Sequence, residues 1–442
     1  MLFGSVIAFE FRGLESQLAL LVSCCQASGM AEETGKKIQE KDIVGLKYFD
    51  QLGELLQQLH DVGCERDRAD NRTLHMDQYC MLILLYMFNP VVTSLRGLQQ
   101  ASELKKVQKK LGCARASLGS LSESVAVFDS ERLKPIIESL GEKLVPIAAD
   151  KRLKDIQQTL TLVDGSIVEA LPRIAMASFR EAQSGSGKKM KWTLHTHFEV
   201  DRSIPVKINV TPTAGGEHDE RAVMDRMIES DRTYVMDRGY AKFELFNRIV
   251  DLGSSYVCRI RDNSVCNILA QKPLTDADKA ARVLSDQLIS LGSDNSKGKP
   301  NHPVRLVVIE AKPHKSKGKP GTGSTGQNCD GFLRIATNLL DVPAEIIALL
   351  YHYRWTVEIF FRFFKHLLGC RHLLSHSQNG IEVQVYCAII ACMLISLWTG
   401  RKPTLRTHEM ICWYFCGMAD QEELLAHLAK LHKPSEPRKP II

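Results

Sequence analysis

The spacing of apolar residues changes character along the chain. From Asp42 to Leu59 (DIVGLKYFDQLGELLQQL) it is helical, and Leu74 to Phe88 is a strongly apolar helix that must stop before Asn89-Pro90. From Ser94 several short helices follow, and SLRGLQQASELKKVQKKLG ends on Gly112 as a C-cap. Ser120 with Glu123 makes a capping box for the helix holding Val125 to Phe128. Alternation then takes over. Thr159 to Val163 is β-rich and ends at Asp164-Gly165-Ser166, Trp192 to Val200 alternates, and Val206 to Val210 is a third strand. Asp219 to Ile228 is helical, Thr233 to Met236 is a strand ending at Asp237-Arg238-Gly239-Tyr240, Ala241 to Val250 is helical, and Ser255 to Ile260 is a fifth strand.

Residues 261–345 interrupt this rhythm. They hold a helix near Asp276 to Ile289, strand-like Val304 to Ile309 and Gly331 to Asn338, and a low-complexity stretch, KPHKSKGKPGTGSTGQ. That stretch lacks the spacing of a P-loop and reads as a hairpin tip or a basic loop that touches DNA. Beyond it, Tyr351 to Lys365 (YHYRWTVEIFFRFFK) is one amphipathic helix. At about 100° per residue, Arg354, Glu358 and Lys365 fall at roughly −60°, −20° and −40° from Tyr351, with Arg362 near +20°. Most of the remaining girth is apolar: Val357, Ile359, Phe360, Phe361, Phe363, Phe364 and Leu368. Charges lined up on an otherwise buried helix are costly unless they pair with one another or hold ions and phosphates. A strip about 21 Å long suits a phosphate backbone better than a single metal. Val383 to Trp398 is a buried helix, Gln421 to Leu431 an amphipathic one suited to dimer contact or to packing on its own domain, and KPSEPRKPII a disordered tail.

Composition narrows the picture only modestly. With 442 residues and 44% hydrophobic content, the chain fills two or three globular domains. A net charge of +6 is compatible with nucleic acid without requiring it. Thirteen cysteines without a CxxC pair suit reduced thiols in a cytoplasm. The longest apolar runs, Met81 to Phe88 and Cys387 to Trp398, are too short to span a bilayer, and no signal peptide is evident. No membrane association is expected.

Three strands, a helix, a strand, a helix and a strand is the order of a ribonuclease-H-like fold. In such a sheet Asp164 and Asp237 sit on adjacent strands, close enough to ligate the same divalent ions. Hard carboxylate oxygens suit Mg²⁺ or Mn²⁺, and two such ions stabilise the attacking and leaving oxygens of phosphoryl transfer.

With these motifs in place, the chain resembles insertion-sequence transposases of the DDE superfamily, in the family-four branch marked by a Y-(2)-R-(3)-E-(6)-K signature. Tyr351, Arg354, Glu358 and Lys365 match that signature without gaps. LVDGS at Asp164, YVMDRGYAKFELFNRIVDLGSSYVCRIRDN around Asp237 and a mostly β insertion before Glu358 extend the likeness over roughly residues 41–400. The resemblance implies an α/β fold: a ribonuclease-H-like mixed sheet flanked by helices, with a β-rich insertion before the last catalytic helix and an all-α N-terminal DNA-binding region. The expected divisions are a poorly defined extension at 1–40, the helical DNA-binding region at 41–150, and the core at 151–260 and 346–400. The insertion at 261–345 and a helical tail at 401–442 complete them.

Asp164, Asp237 and Glu358 are then the implied catalytic, metal-binding triad. Tyr351, Arg354 and Lys365, with Arg362 beside them, are the DNA contacts. The implied cofactor is Mg²⁺ or Mn²⁺, two ions. The partners are double-stranded DNA at transposon ends and target, and a second copy in a homodimeric end complex, in a prokaryotic cytoplasm at the nucleoid. Family members release the element through a hairpin that needs an aromatic to stack on a flipped base. The tryptophans here, Trp192, Trp355, Trp398 and Trp413, all lie outside the insertion, which leaves Phe332 or Tyr256 for that role.

Other constellations have plainer readings. His366, Cys370, His372 and His376 mimic a zinc set only loosely, since the first two sit one turn apart at the end of a helix. His195 and His197 read as structural, with an approach to DNA as the alternative, and Glu169 or Glu310 could replace Glu358 but lack its basic stripe. Lys105, Lys106, Lys109 and Lys110 read either as a solvated face or as part of a helix-turn-helix-type unit. Two rival functions remain open: an inactive transposon-derived DNA-binding protein, and a structure-specific ribonuclease-H-like nuclease.

Overall fold

The computed structural model describes residues 55–431, apart from 63–65, 68–71, 148–149, 170–190, 213–214, 294, 312–330, 370–373 and 376. The N-terminal extension, most of the Asp42 to Leu59 helix, the KPHKSKGKPGTGSTGQ stretch, the Cys370, His372 and His376 set and the last residues of the tail lie outside the described residues.

Nine strands form one sheet: β1 (Thr159–Glu169), β2 (Lys191–Glu199), β3 (Ile204–Pro212), β4 (Arg232–Met236), β5 (Ser255–Arg259), β6 (Cys266–Gln271), β7 (Val283–Leu291), β8 (Val304–Glu310) and β9 (Phe332–Thr337). Their order is β3-β2-β1-β4-β5-β9-β8-β7-β6. β4 lies parallel to β1 and to β5, and the other pairs are antiparallel. The insertion is thus an extension of the central sheet, joined through β9 against β5.

Helices cover both faces: α1 (Met76–Phe88), α2 (Leu95–Ser102), α3 (Lys105–Leu111), α4 (Leu118–Val127), α5 (Lys134–Lys143), α6 (Glu220–Met227), α7 (Phe243–Asp251), α8 (Asp276–Ala280), α9 (Ala344–Gly369), α10 (Gln378–Thr399), α11 (Leu405–Phe415) and α12 (Gln421–Leu431). Alternation in β1 explains the layering. Leu160 and Leu162 point into a large core built with α9, α10 and the N-terminal helices, whereas Val163 points into a smaller one with Met224 of α6 and Leu245, Phe246 and Ile249 of α7. By length and composition α10 could cross a membrane, yet 94% of its most apolar window is buried inside this protein, against α1, α4, α5 and β3.

Several expectations need correction. β1 continues through Asp164-Gly165-Ser166 to Glu169, because β2 pairs with it as far as Lys191. The helix expected over Asp276 to Ile289 is only α8, followed by β7. Within β7, Asp286 is buried and paired with Arg305 of β8. β6 gave no sign in sequence because its residues from Asn267 onward are exposed. The stretch ending on Gly112 is two short helices, α2 and α3, divided after Ser102, in keeping with the several short helices expected from Ser94. There the Ser102 hydroxyl donates to the Gln99 carbonyl (2.7 Å) and the Gln108 amide donates to the Ser102 carbonyl (2.8 Å), ending the backbone ladder. Gly112 is the left-handed cap of α3 (φ 61°). The cap of α4 is Ser117, which accepts from Ser120 N (3.0 Å), three residues before the expected Ser120.

Candidate active site

Three elements distant in sequence bring the acids together. β1 carries Asp164, and β4 ends directly before Asp237. The parallel register pairs Leu162 with Val235, so two residues further along both chains Asp164 comes level with Asp237. Asp237 begins a 3-10 turn, Arg238–Tyr240, and its Oδ1 accepts from Gly239 N (2.7 Å). α9 crosses β1, β4 and β5 and lays Tyr351, Arg354, Glu358 and Lys365 over the strand ends.

The electrostatics of Asp164 follow from this arrangement. Burial pushes the Asp164 carboxyl up to about 6; Arg354 works against this, Asp237 and Glu358 reinforce it, and Lys365 again opposes it. All four side chains therefore lie within electrostatic reach of Asp164. Arg354 Nη1 donates to Glu358 Oε1 at 2.8 Å, its guanidinium stands 5.3 Å from the Trp355 ring and 5.9 Å from the Tyr351 ring, and its buried Nε has no hydrogen-bond partner. Burial raises the Tyr351 hydroxyl above its ordinary value, against the pull of Arg354 and Arg259. Among the described residues, no three of the site's carboxylates gather within 4.8 Å of one another; Glu358 turns to Arg354 instead.

The expected stripe is partly redrawn. Tyr351 is buried, Arg354 and Glu358 are half-buried, and Arg362 and Lys365 are exposed. Ile359 is 60% exposed and Trp355 55%, so an apolar strip borders the cations where a buried wall was expected. Tyr256 is fully buried, stacked on Phe246 at 4.2 Å, and is withdrawn as a base-stacking residue; Phe332 is partly exposed. His195 and His197 are structural. His195 Nε2 bonds Thr211 Oγ1 (2.8 Å), His197 Nε2 meets Met224 Sδ (3.3 Å), and burial lowers both, to about 4 and about 3. Glu310 stands at the end of β8 in the extended part of the sheet, and the side chain of Glu169 lies outside the described residues. The metal-type trio that closes to 4.8 Å, His60, Asp61 and His75, has its two imidazoles stacked face to face at 3.7 Å, so their in-plane lone pairs do not converge.

Sequence reading missed two members of the site. Arg259, at the end of β5, is 7% exposed; its Nε and Nη2 have no hydrogen-bond partner, and it acts electrostatically on Tyr351. Glu220, the first residue of α6, is raised to about 7 by burial and by Asp237 and Asp164. Neither belongs to a recognisable spacing; the only signal was the adjoining stretches, YVCRIRDN and GGEHDERAVM.

The Asp164 value carries a pH dependence. Folding favours its protonated form, so the group's stabilising contribution is complete below about pH 4 and is lost as pH rises through about 6. Metal-free Asp164→Asn protein is expected to melt about 2 °C or more above wild type at pH 7.5, with the gap narrowing toward pH 4.5. Calorimetry at the two pH values checks this; a gap independent of pH would remove the titration from the explanation.

Residues 156–394, which contain all three acids, match the model of the transposase DDE domain family. The chain belongs to that family. Relatives are consistent. A probable transposase for insertion sequence element IS5377 of Geobacillus stearothermophilus is 28% identical over 210 residues, 47% of this chain and 50% of that protein. The putative transposase y4zB of Sinorhizobium fredii (strain NBRC 101917 / NGR234) is 25% identical over 282 residues, 60% of this chain and 74% of that one. The chain spans about half the length of the first of these relatives. A piggyBac transposase synaptic complex with hairpin DNA superposes only loosely, with a TM-score of 0.36 and 12% identity over 89% of this chain and 82% of that one.

Proposed function

We propose that this DDE-family chain is the transposase of an insertion sequence: it binds the element's terminal inverted repeats and catalyses metal-dependent DNA strand cleavage and strand transfer. The observation that carries the reading is that Asp237 and Glu358, from the end of a strand and a distant helix, both act electrostatically on Asp164, with Arg354 and Lys365 on that same helix. The strand order β3-β2-β1-β4-β5, with β2 antiparallel to both its neighbours, supports a ribonuclease-H-like core, which the insertion widens.

The donor set fits hard divalent cations, being carboxylate oxygens with no sulfur or imidazole among them. Asp164, Asp237 and Glu358 would hold two ions of the Mg²⁺ or Mn²⁺ class, which when bound stabilise charge on the oxygens of the scissile phosphate. The remaining work falls to the chain's own groups. Arg354 holds Glu358 in place and carries an unused Nε donor, and buried Arg259 carries two more beside the Tyr351 hydroxyl. Guanidinium donors without a hydrogen-bond partner suit phosphate oxygens in a planar, directional way, although Arg259 Nη2 also stands 3.7 Å from Asp262 Oδ1. Exposed Lys365 and Arg362 track the backbone further along α9, and Trp355 offers a ring on which a base can stack. The helical region 41–150, with Lys105, Lys106 and Lys109 exposed on α3, is assigned to DNA binding, and a homodimer to the end complex. The cellular setting is the prokaryotic cytoplasm.

The test is cleavage by purified protein of DNA carrying the repeats that flank its gene, with Mg²⁺ or Mn²⁺. Nicks at the repeat boundary are expected. Binding without cleavage would favour an inactive DNA-binding derivative, and cutting indifferent to the repeats a general nuclease.

A further inference from the structure

Beside β1, on the face opposite α9, stands a carboxylate that the DDE triad does not include. Gly165 directs its missing side chain toward α6, and a methyl group built there would stand 2.5 Å from Glu220 Oε1 and 2.6 Å from its Cδ. The backbone at Gly165 is ordinary paired strand, opposite His195 of β2, so nothing in its conformation calls for glycine. What requires a small residue is the Glu220 carboxylate pressed against it. Because β4 ends at Met236, no strand continues beside Gly165 on that flank. A side chain from the α6 face can therefore reach the strand ends where Asp164 and Asp237 stand.

Glu220 has no structural partner to explain its place. Its neighbour Asp219 caps α6 by accepting from Arg221 N (3.0 Å), and the Arg221 guanidinium bonds back to Asp219 at 2.8 Å, so the nearest cation is already held. Among the described residues Glu220 makes no ion pair and no hydrogen bond, although it is half-buried beside two other acids. The cations whose fields reach Asp164 and Glu220 are Arg354, Lys365 and Arg221, and Arg221 is already bonded to Asp219, so the four carboxylates there outnumber the cations left to them. Such an excess is costly in a partly desolvated site unless cations neutralise it.

We propose that Glu220 is a fourth carboxylate of the divalent-metal centre, admitted to it by Gly165. This rests on the metal-centre reading above. The nearer alternative is a simple electrostatic role, an acid favoured by the positive end of α6.

The two are separated by Mn²⁺ binding to the DNA-free full chain, followed by electron paramagnetic resonance, together with melting temperatures with and without Mn²⁺. Glu220→Gln is expected to weaken Mn²⁺ binding about tenfold or more, by analogy with the loss of supporting groups around a metal. Its metal-free melting temperature should equal or exceed that of wild type, because a repulsion is removed, and its gain on adding Mn²⁺ should shrink. Glu220→Asp should recover part of the affinity, and Gly165→Ala, which displaces the carboxylate, should weaken it. Wild-type Mn²⁺ affinity in Glu220→Gln with a lowered metal-free melting temperature would overturn the proposal in favour of the helix-end role. Asp237→Asn is the control: if it too binds Mn²⁺ as wild type does, the metal centre itself fails. If it loses Mn²⁺ while Glu220→Gln does not, only the fourth ligand fails.

Discussion

Glu358→Gln protein is expected to cleave repeat-bearing DNA about a thousandfold more slowly than wild type, or more, while binding that DNA with affinity within a few-fold of it. Gln keeps the volume and one oxygen, so α9 and its packing through Phe360, Phe361 and Phe364 stay intact. What disappears is the charge. A neutral amide is a poor ligand for a hard divalent ion, and losing about 4 kcal/mol of transition-state stabilisation corresponds to that thousandfold. Binding is expected to be spared because the proposed phosphate contacts are Arg354, Lys365 and Arg362. The amide oxygen of Gln can still accept from the Arg354 Nη1 that Glu358 engages at 2.8 Å but no longer forms an ion pair with it, so a slight tightening on DNA would be consistent. Quench-flow or gel cleavage rates beside filter-binding affinities make the comparison. A variant that cleaves within tenfold of wild type would take Glu358 out of the chemistry.

The legible part of this site was the part written on single elements. Tyr351, Arg354, Glu358 and Lys365 sit on one continuous helix, where the 3.6-residue period turns spacing directly into a face. Asp164 and Asp237 could be placed because each stands at or beside a run of alternating residues, on strands that the structure sets side by side. Glu220 could not be placed. It is one acid in Asp219-Glu220-Arg221, and only the three-dimensional approach to Gly165 separates it from its neighbours. Arg259 was hidden for a related reason, since a charged residue in a strand gives no sign of being buried with guanidinium nitrogens that lack a hydrogen bond. The insertion was misread where pattern and environment disagree. β7 buries Asp286 and exposes Leu284, which inverts the usual alternation, because the partner that makes a buried acid tolerable lies 19 residues on, in β8.

That partner ties the insertion to catalysis. Arg305 meets Asp286 through two parallel bonds of 2.7 Å, Nε to Oδ1 and Nη2 to Oδ2, with both side chains almost wholly buried. Its remaining nitrogen, Nη1, donates to the carbonyls of Leu339 (3.0 Å) and Val342, in the turn that leads into α9. Asp278 of α8 completes the hold by accepting from Glu345 N (2.9 Å) at the start of that helix. The insertion thereby grips the end of α9 from which Glu358 is projected over the sheet.

Asp286→Ala strands the Arg305 charge in the interior, and a loss of about 3–5 kcal/mol of stability is expected. Replacing both partners with apolar residues of similar volume, as in Asp286→Leu with Arg305→Met, should restore most of the stability, since the desolvation cost disappears with the pair. It should not restore cleavage to the same degree, because Met cannot donate to the Leu339 and Val342 carbonyls and the entry to α9 is left loose. Denaturant unfolding beside cleavage rates would read the two effects separately. If the double variant regained stability and full cleavage together, the insertion's grip on α9 would be no more than packing, and the placement of Glu358 would rest on the aromatic seam beneath the helix.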